Sequence, residues 1–93
     1  MKEMSVIQKM IDELKRLKSD GMYLNDFFHT WKKSDDELAA TFAVAEILRK
    51  MRENNISPKL FDSGLGISIF RDNSTRTRFS FASACNLLGL TVQ

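Results

Sequence analysis

The side chains best suited to chemistry lie together in residues 70–78, which read FRDNSTRTR. The hydroxyls of Ser74, Thr75 and Thr77 can donate hydrogen bonds to an anion. A guanidinium such as that of Arg76 can hold two phosphate oxygens in a charge-assisted fork. These residue types therefore suit an oxyanion that is bound without a metal.

The charge distribution favours the same segment. The net charge of the 93-residue chain is only +2, which is too small to indicate a nucleic-acid partner. Residues 1–55 hold ten Lys/Arg and ten Asp/Glu, so the positive excess lies in residues 56–93. Arg71, Arg76 and Arg78 fall within eight residues there, and this concentration of positive charge indicates an anion site.

The elements around this segment should place it at the start of a helix. Residues 64–70 form a short apolar run between turn residues, which predicts a buried strand. Asp72-Asn73-Ser74 should end the strand and supply Ser74 as the N-cap of a helix over residues 75–88, which Gly89 ends. Backbone N–H groups at such a helix start, together with the helix dipole, favour a bound phosphate.

Two further helices are expected upstream. The apolar period predicts a helix over residues 5–19 with Ser5 as its N-cap, stopped by Asp20-Gly21. Ser34 and Glu37 match a capping box and predict a second helix over residues 35–53. The apolar face of that second helix is expected to contain Leu38, Phe42, Ala45, Leu48 and Met51.

The stretch between these helices, residues 22–31, is rich in aromatic residues without a sustained period. It predicts a packed connector with a short helical turn, in which Trp31 and the Phe27-Phe28 pair serve core or interdomain packing. Cys85, on the apolar face of the last helix, is likewise expected to be a core residue.

The order of elements after residue 57 indicates the fold class. A strand, a helix and the β-type residues 91–93 make the opening of a βαβ unit. A parallel sheet needs further strands, with helices on both faces. The sequence therefore predicts the start of a three-layer α/β domain with a parallel sheet, helix-rich in these 93 residues.

Several other classes of protein are excluded or disfavoured. Cys85 and His29 are the only residues of their types, so the chain alone can build neither a disulfide nor a multi-ligand Cys/His zinc site. The P-loop pattern is absent, and Ile69 stands where a GxGxxG run beginning at Gly64 needs its third glycine. No cofactor is expected. No apolar run of 18 residues or signal peptide is found, so a cytoplasmic, membrane-free location is expected.

The residues alone leave two interpretations of the 70–78 segment open. One is the anion site. The other is ordinary structure, in which Ser74 and Thr75 cap a helix and an arginine pairs with Asp72. Asp72 itself is a poor general base because neighbouring arginines lower the pKa of a carboxyl group.

The run from Phe70 to Phe81, with Ser-Thr-Arg-Thr-Arg at its centre, closely resembles the carbamoyl-phosphate signature of the aspartate/ornithine carbamoyltransferase family. The resemblance extends back through Gly64-Leu65-Gly66 to Thr30-Trp31. These outer parts look most like a branch of the family whose acceptor is not plainly aspartate or ornithine.

The resemblance implies roles for particular residues. Ser74, Thr75, Arg76 and Thr77 would hold the phosphate of carbamoyl phosphate. Arg76 would neutralise the departing phosphate, and Thr77 would also bind the carbamoyl oxygen. Arg78 would either contribute to the site or fix the loop against the fold.

The resemblance also implies the reaction and what lies outside this sequence. The activity would be transfer of a carbamoyl group to an amine acceptor of amino-acid type, in amino acid metabolism, by a homotrimer or larger assembly. Residues 1–93 would be the N-terminal portion of the carbamoyl-phosphate-binding domain, comprising two helices, a strand, the phosphate loop and a helix. The His-Pro-x-Gln segment and the acceptor-binding domain of the family are absent from it, so the 93 residues alone should be inactive. Two alternatives remain: a stand-alone anion-binding regulatory module, and a nucleic-acid or protein-interaction module that uses the arginines.

Overall fold

Three helices and a two-stranded parallel sheet make up the regular structure of the described residues. The computed structural model describes residues 2–71 and 74–93. The helices are α1 (Lys2–Lys15), α2 (Asp35–Glu53) and α3 (Thr75–Leu88), and the strands are β1 (Leu65–Gly66) and β2 (Thr91–Val92). The chain divides between residues 56 and 57 into two compact units. The first contains α1 and α2, and the second contains β1, α3 and β2.

Helix α1 begins and ends earlier than the predicted 5–19 range. Ser5 lies inside the helix, so its prediction as the N-cap is wrong. Just after the helix, two hydrogen bonds join residues three apart, as in a 3-10 turn. The N–H of Arg16 donates to the carbonyl of Glu13, and the N–H of Leu17 donates to the carbonyl of Leu14. The apolar period shows which face of a helix packs, and it does not mark where the helix begins.

The aromatic connector is exposed within the described residues, so its rings do not join a core there, and packing against a further domain stays a prediction. It contains two short 3-10 turns, Asp20–Met22 and Thr30–Lys32. Leu24 is 88% exposed, and Phe28 and Trp31 are each 77% exposed. Trp31 instead stacks on His29, with ring centroids 4.4 Å apart. Near it, the Lys33 ammonium lies 5.1 Å from the centroid of the Phe27 ring, so both ring contacts of the connector are with residues close in sequence.

Helix α2 has the predicted bounds and the predicted capping box. The N–H of Glu37 donates to Ser34 Oγ at 3.1 Å, and the N–H of Ser34 donates to Glu37 Oε1 at 2.8 Å. The hydrogen bond from the Ser34 backbone lowers the pKa of the Glu37 carboxyl group. The reciprocal pair satisfies two backbone donors that the helix itself cannot pair.

The buried face of α2 differs from the predicted one. Ala40 and Ile47 are buried, seven residues apart and so on one face, while Phe42 is 70% exposed. Helices α1 and α2 pack together within the first unit, where Ile7 of α1 is also buried. A small residue such as alanine lets two helix backbones approach closely. The prediction from the sequence instead placed the larger apolar side chains, such as Phe42, on the buried face.

Strands β1 and β2 are parallel, with Leu65 opposite Thr91 and Gly66 opposite Val92. The N–H of Thr91 donates to the carbonyl of Gly64, and the N–H of Gln93 donates to that of Gly66. This arrangement confirms the predicted strand–helix–strand order of residues 65–92, with α3 as the crossover.

The first strand is shorter and less buried than predicted. It covers two of the residues 64–70, and Ile67 and Ile69 are 62% and 91% exposed. Ser68 adds one bond to the carbonyl of Gln93, and β1 pairs with β2 alone within the described part of the chain. A strand with one partner and one covered face remains open on its other face.

Close approach of α3 to the sheet depends on Gly66. A Cβ atom added there would lie 2.5 Å from Sγ of Cys85, which is far below van der Waals contact. Cys85 is buried, as predicted for a core residue. Gly89 ends α3 in the left-handed region with φ of 97°, and the Leu88 carbonyl before it accepts the N–H groups of Leu60 and Phe61.

None of the helices within residues 2–71 and 74–93 is long and apolar enough to cross a membrane.

Candidate anion-binding site

The hydroxyl and arginine residues of the motif occupy the first turn of α3. The helix begins at Thr75, as predicted, and Ser74 is the residue before it, with φ of −115° and ψ of 70°. The N–H of Arg78 donates to the carbonyl of Ser74 at 2.8 Å and starts the helical ladder. The backbone N–H groups of residues 75–77 precede that first bond, which makes this turn a suitable cradle for an anion.

The Ser74 hydroxyl makes no capping hydrogen bond to the helix within the described residues. The structure therefore agrees with Ser74 as the N-cap position but not with side-chain capping there. Ser74 is half-buried, whereas Thr75, Arg76 and Thr77 are exposed. Four neighbouring residues thus offer a hydroxyl, a guanidinium or a backbone donor at one helix end.

Positive charge at this turn comes from Arg76 and Arg78. In the described ranges, ion pairs join Arg49 to Glu46 and Lys59 to Asp62, and neither involves the motif. The alternative in which an arginine pairs with Asp72 falls on a residue outside the described part of the chain, as does the predicted strand-ending role of Asp72 and Asn73.

Arg78 turns back toward the end of the preceding strand segment. Its Cζ lies 5.2 Å from the centroid of the Phe70 ring, within the range of a cation–π contact. Phe70 belongs to the 70–78 segment analysed above, but its pairing with Arg78 was not predicted. The sequence feature that could have indicated this contact is that Phe70, an aromatic residue, ends the apolar run shortly before the arginines.

An open groove of about 570 Å³ lies beside this turn in the second unit. Of the five motif residues 74–78, only Arg78 lines it. The other lining residues come from the end of the β1 segment, from α3 and from the end of β2: Ser68, Ile69, Phe70, Phe79, Ala82, Val92 and Gln93. The carboxyl ends of parallel strands and a helix N-terminus meet here, which is where open α/β sheets commonly bind ligands.

The other chemically capable residues lie elsewhere. His29 is in the first unit, stacked on Trp31, and Cys85 is buried against the sheet. No group of three His, Cys, Asp or Glu side chains that could hold a metal ion occurs in the described parts of the chain.

A model of the protein family described as "Aspartate/ornithine carbamoyltransferase, carbamoyl-P binding domain" matches residues 25–93. The chain belongs to this family. The match includes the whole of the motif, the β1–α3–β2 unit and all of α2.

Curated relatives match almost the entire chain. Proteins named "Putative carbamoyltransferase YgeW" from Escherichia coli (strain K12) and Escherichia coli O157:H7 are each 51% identical to it over 90 residues. The aligned part is 97% of this chain and 22% of each relative. The chain therefore spans about a fifth of the length of the curated relatives it matches. The helix-rich structure with its small parallel sheet is compatible with an α/β carbamoyl-phosphate-binding domain.

Proposed function

We propose that the complete protein is a carbamoyltransferase, which moves a carbamoyl group from carbamoyl phosphate to an amine acceptor of amino-acid type. Residues 1–93 would form the N-terminal portion of its carbamoyl-phosphate-binding domain. The observation that carries the proposal is the position of the Ser-Thr-Arg-Thr-Arg run at the first turn of α3, in a chain that belongs to this family.

The proposed binding groups are Ser74, Thr75, Arg76 and Thr77. The start of α3 supports this assignment, because the amides of residues 75–77 come before the first helical hydrogen bond. Arg76 is exposed, and its fork of N–H donors suits the phosphate oxygens. Thr77 carries the hydroxyl that would meet the carbamoyl oxygen.

In the proposed reaction the acceptor nitrogen attacks the carbonyl carbon of carbamoyl phosphate. A C–N bond forms, the bond from carbon to the bridging phosphate oxygen breaks, and the amine loses a proton. Negative charge builds up on the carbamoyl oxygen and then on the leaving phosphate. Fixed donors placed where that charge develops lower the barrier, and alignment of the two reactants contributes much of the remainder.

The wider organisation is part of the same proposal. The sheet would continue with further strands and be covered on both faces, giving three layers. The acceptor would be held by a second domain outside these residues. The protein would act in amino acid metabolism in the cytoplasm, as a homotrimer or larger assembly.

The deciding experiment uses the complete gene product. It is incubated with carbamoyl phosphate and a panel of amino-acid amines, and ureido products are measured together with released phosphate. Product formed from one acceptor class supports the proposal. Saturable binding of carbamoyl phosphate by calorimetry, without product from any amine, would instead indicate the anion-binding module.

A further inference from the structure

We propose that Phe70 is a positioning residue of the carbamoyl phosphate site, because its ring holds the guanidinium of Arg78 and thereby fixes the first turn of α3, which carries the proposed binding residues. The proposal rests on the proposed function. The proposal adds Phe70, which lies outside the Ser-Thr-Arg-Thr-Arg run, as a residue that affects substrate binding through Arg78.

The first support is the contact itself. Arg78 Cζ lies 5.2 Å from the ring centroid of Phe70, and Phe70 is half-buried. A ring at a half-buried position has less freedom than one on an open surface, and a guanidinium over its face gains electrostatic attraction. Both residues also line the groove beside the motif, so their contact lies at its wall.

The second support is where the contact falls along the chain. Residues 71–77 separate the two partners and include all four proposed binding residues. Arg78 is also the residue whose N–H makes the first helical bond, to the carbonyl of Ser74. Arg78 therefore makes a side-chain contact with Phe70 and a backbone bond with Ser74, and both contacts fall in the first turn of α3. A helix turn that is already held in its ligand-binding geometry loses less entropy when the ligand binds.

The third support concerns the charge of Arg78. A guanidinium held over a ring keeps its positive charge, and its contact with Phe70 fixes where that charge lies. Arg76 is then left as the arginine that meets the phosphate. The structure thus favours the loop-fixing role among the two roles considered for Arg78.

The test measures carbamoyl phosphate binding by the complete protein and its variants. Phe70→Leu should weaken binding by about threefold or more, the size expected from loss of one cation–π contact. Phe70→Tyr keeps the ring face and should restore binding. Phe61→Leu is the matched control: Phe61 is 48% exposed, and its backbone N–H bonds the carbonyl of Leu88 at the opposite end of α3, roughly 15 Å from Arg78 along the helix.

A double-variant comparison then shows whether Phe70 acts through Arg78. In an Arg78→Gln background, Phe70→Leu should cause little further loss. An equal loss in both backgrounds, or equal effects of Phe70→Leu and Phe61→Leu, would overturn the proposal.

Amide hydrogen exchange separates this proposal from the proposed function. Phe70→Leu should accelerate exchange at the Arg78 amide, and Phe61→Leu should leave it unchanged. If the unaltered protein does not bind carbamoyl phosphate, the proposed function fails, and the exchange result still decides whether Phe70 orders this turn. Unchanged exchange in Phe70→Leu would refute the positioning role.

Discussion

The carbonyl oxygen of Ser74 accepts the backbone N–H of Arg78 at 2.8 Å, and no earlier backbone bond of α3 is formed within the described residues. The three residues between these partners therefore present their amides at the helix end. Two of them carry hydroxyls and one carries a guanidinium. The amides of residues 75–77 are therefore the ones placed to bind a ligand, whereas the amides from Arg78 onward take part in the hydrogen bonds of the helix.

Replacing Arg76 with alanine should strongly reduce transfer. The substitution removes the fork that we assign to the leaving phosphate, and loss of such a contact costs about 3–4 kcal/mol of transition-state stabilisation, or a factor of roughly 10²–10³ in kcat/KM. Steady-state assays of the complete protein measure this loss. Arg49→Ala, which removes a surface partner of Glu46, is the matched control and should be nearly silent. Equal activity in the two variants would rule out the role of Arg76.

Replacing Thr77 with valine tests the carbamoyl contact. The side chain keeps its shape and loses its hydroxyl, so kcat should fall more than binding of inorganic phosphate does. Thr41→Val is a suitable comparison, because the Thr41 hydroxyl donates to a backbone carbonyl within α2. If Thr77→Val changes phosphate affinity and kcat by the same factor, Thr77 contacts only the phosphate.

The preference for a small anion can be tested against DNA. A protein that uses its arginines on phosphate backbones binds duplex DNA with a steep dependence on salt. The compact turn at the start of α3 should instead bind carbamoyl phosphate or orthophosphate in preference to DNA. Titrations of the complete protein at two salt concentrations distinguish these behaviours. Salt-sensitive DNA binding without small-anion binding would contradict the proposed function.

The sequence predicted best those features that depend on neighbouring residues. The Ser34–Glu37 capping box and the bounds of α2 and α3 follow from local hydrogen bonds and turn residues, and the structure confirms them. The parallel pairing of β1 with β2 was also predictable, because a crossover helix joins two β-type segments.

Features that depend on distant packing were predicted less well. Phe42 was expected in the core because it is large and apolar, yet Ala40 is the buried residue of that helix turn. The exposure of Ile69 and Trp31 was missed for the same reason, since apolar type alone does not say which face has a partner. The Phe70–Arg78 contact joins two side chains eight residues apart, and residue spacing does not specify that they meet.

The Glu37 carboxyl group should make the stability of α2 depend on pH. Its pKa is lowered from 4.5 by the Ser34 backbone hydrogen bond. A lowered folded-state pKa adds stability above the unfolded value, and that stability is lost as pH falls through the folded pKa. Glu37→Gln should therefore differ most from the unaltered protein near neutral pH and progressively less in acid. Carbon-detected NMR titration gives the pKa directly, and a midpoint at or above 4.5 would contradict the capping interpretation.

Gly66→Ala should destabilise the second unit. The added Cβ would lie 2.5 Å from Cys85 Sγ, so either α3 or the strand must shift. Overpacking of this kind costs about 1–3 kcal/mol of the free energy of unfolding, measurable by urea denaturation of the complete protein. Gly21→Ala is the matched control, because its Cβ would meet Glu37 Oε2 at an ordinary 3.8 Å.

The clash at Gly66 predicts a specific rescue. Cys85→Ala removes the sulfur that the new methyl group would strike, and the next atoms it would meet, in Cys85 and Phe81, lie at 3.5 and 3.6 Å. The double variant Gly66→Ala/Cys85→Ala should therefore be more stable than the sum of the two single effects predicts, because residues in contact are coupled. Strict additivity would mean that Gly66 acts through backbone conformation and not through the close approach of α3 to the sheet.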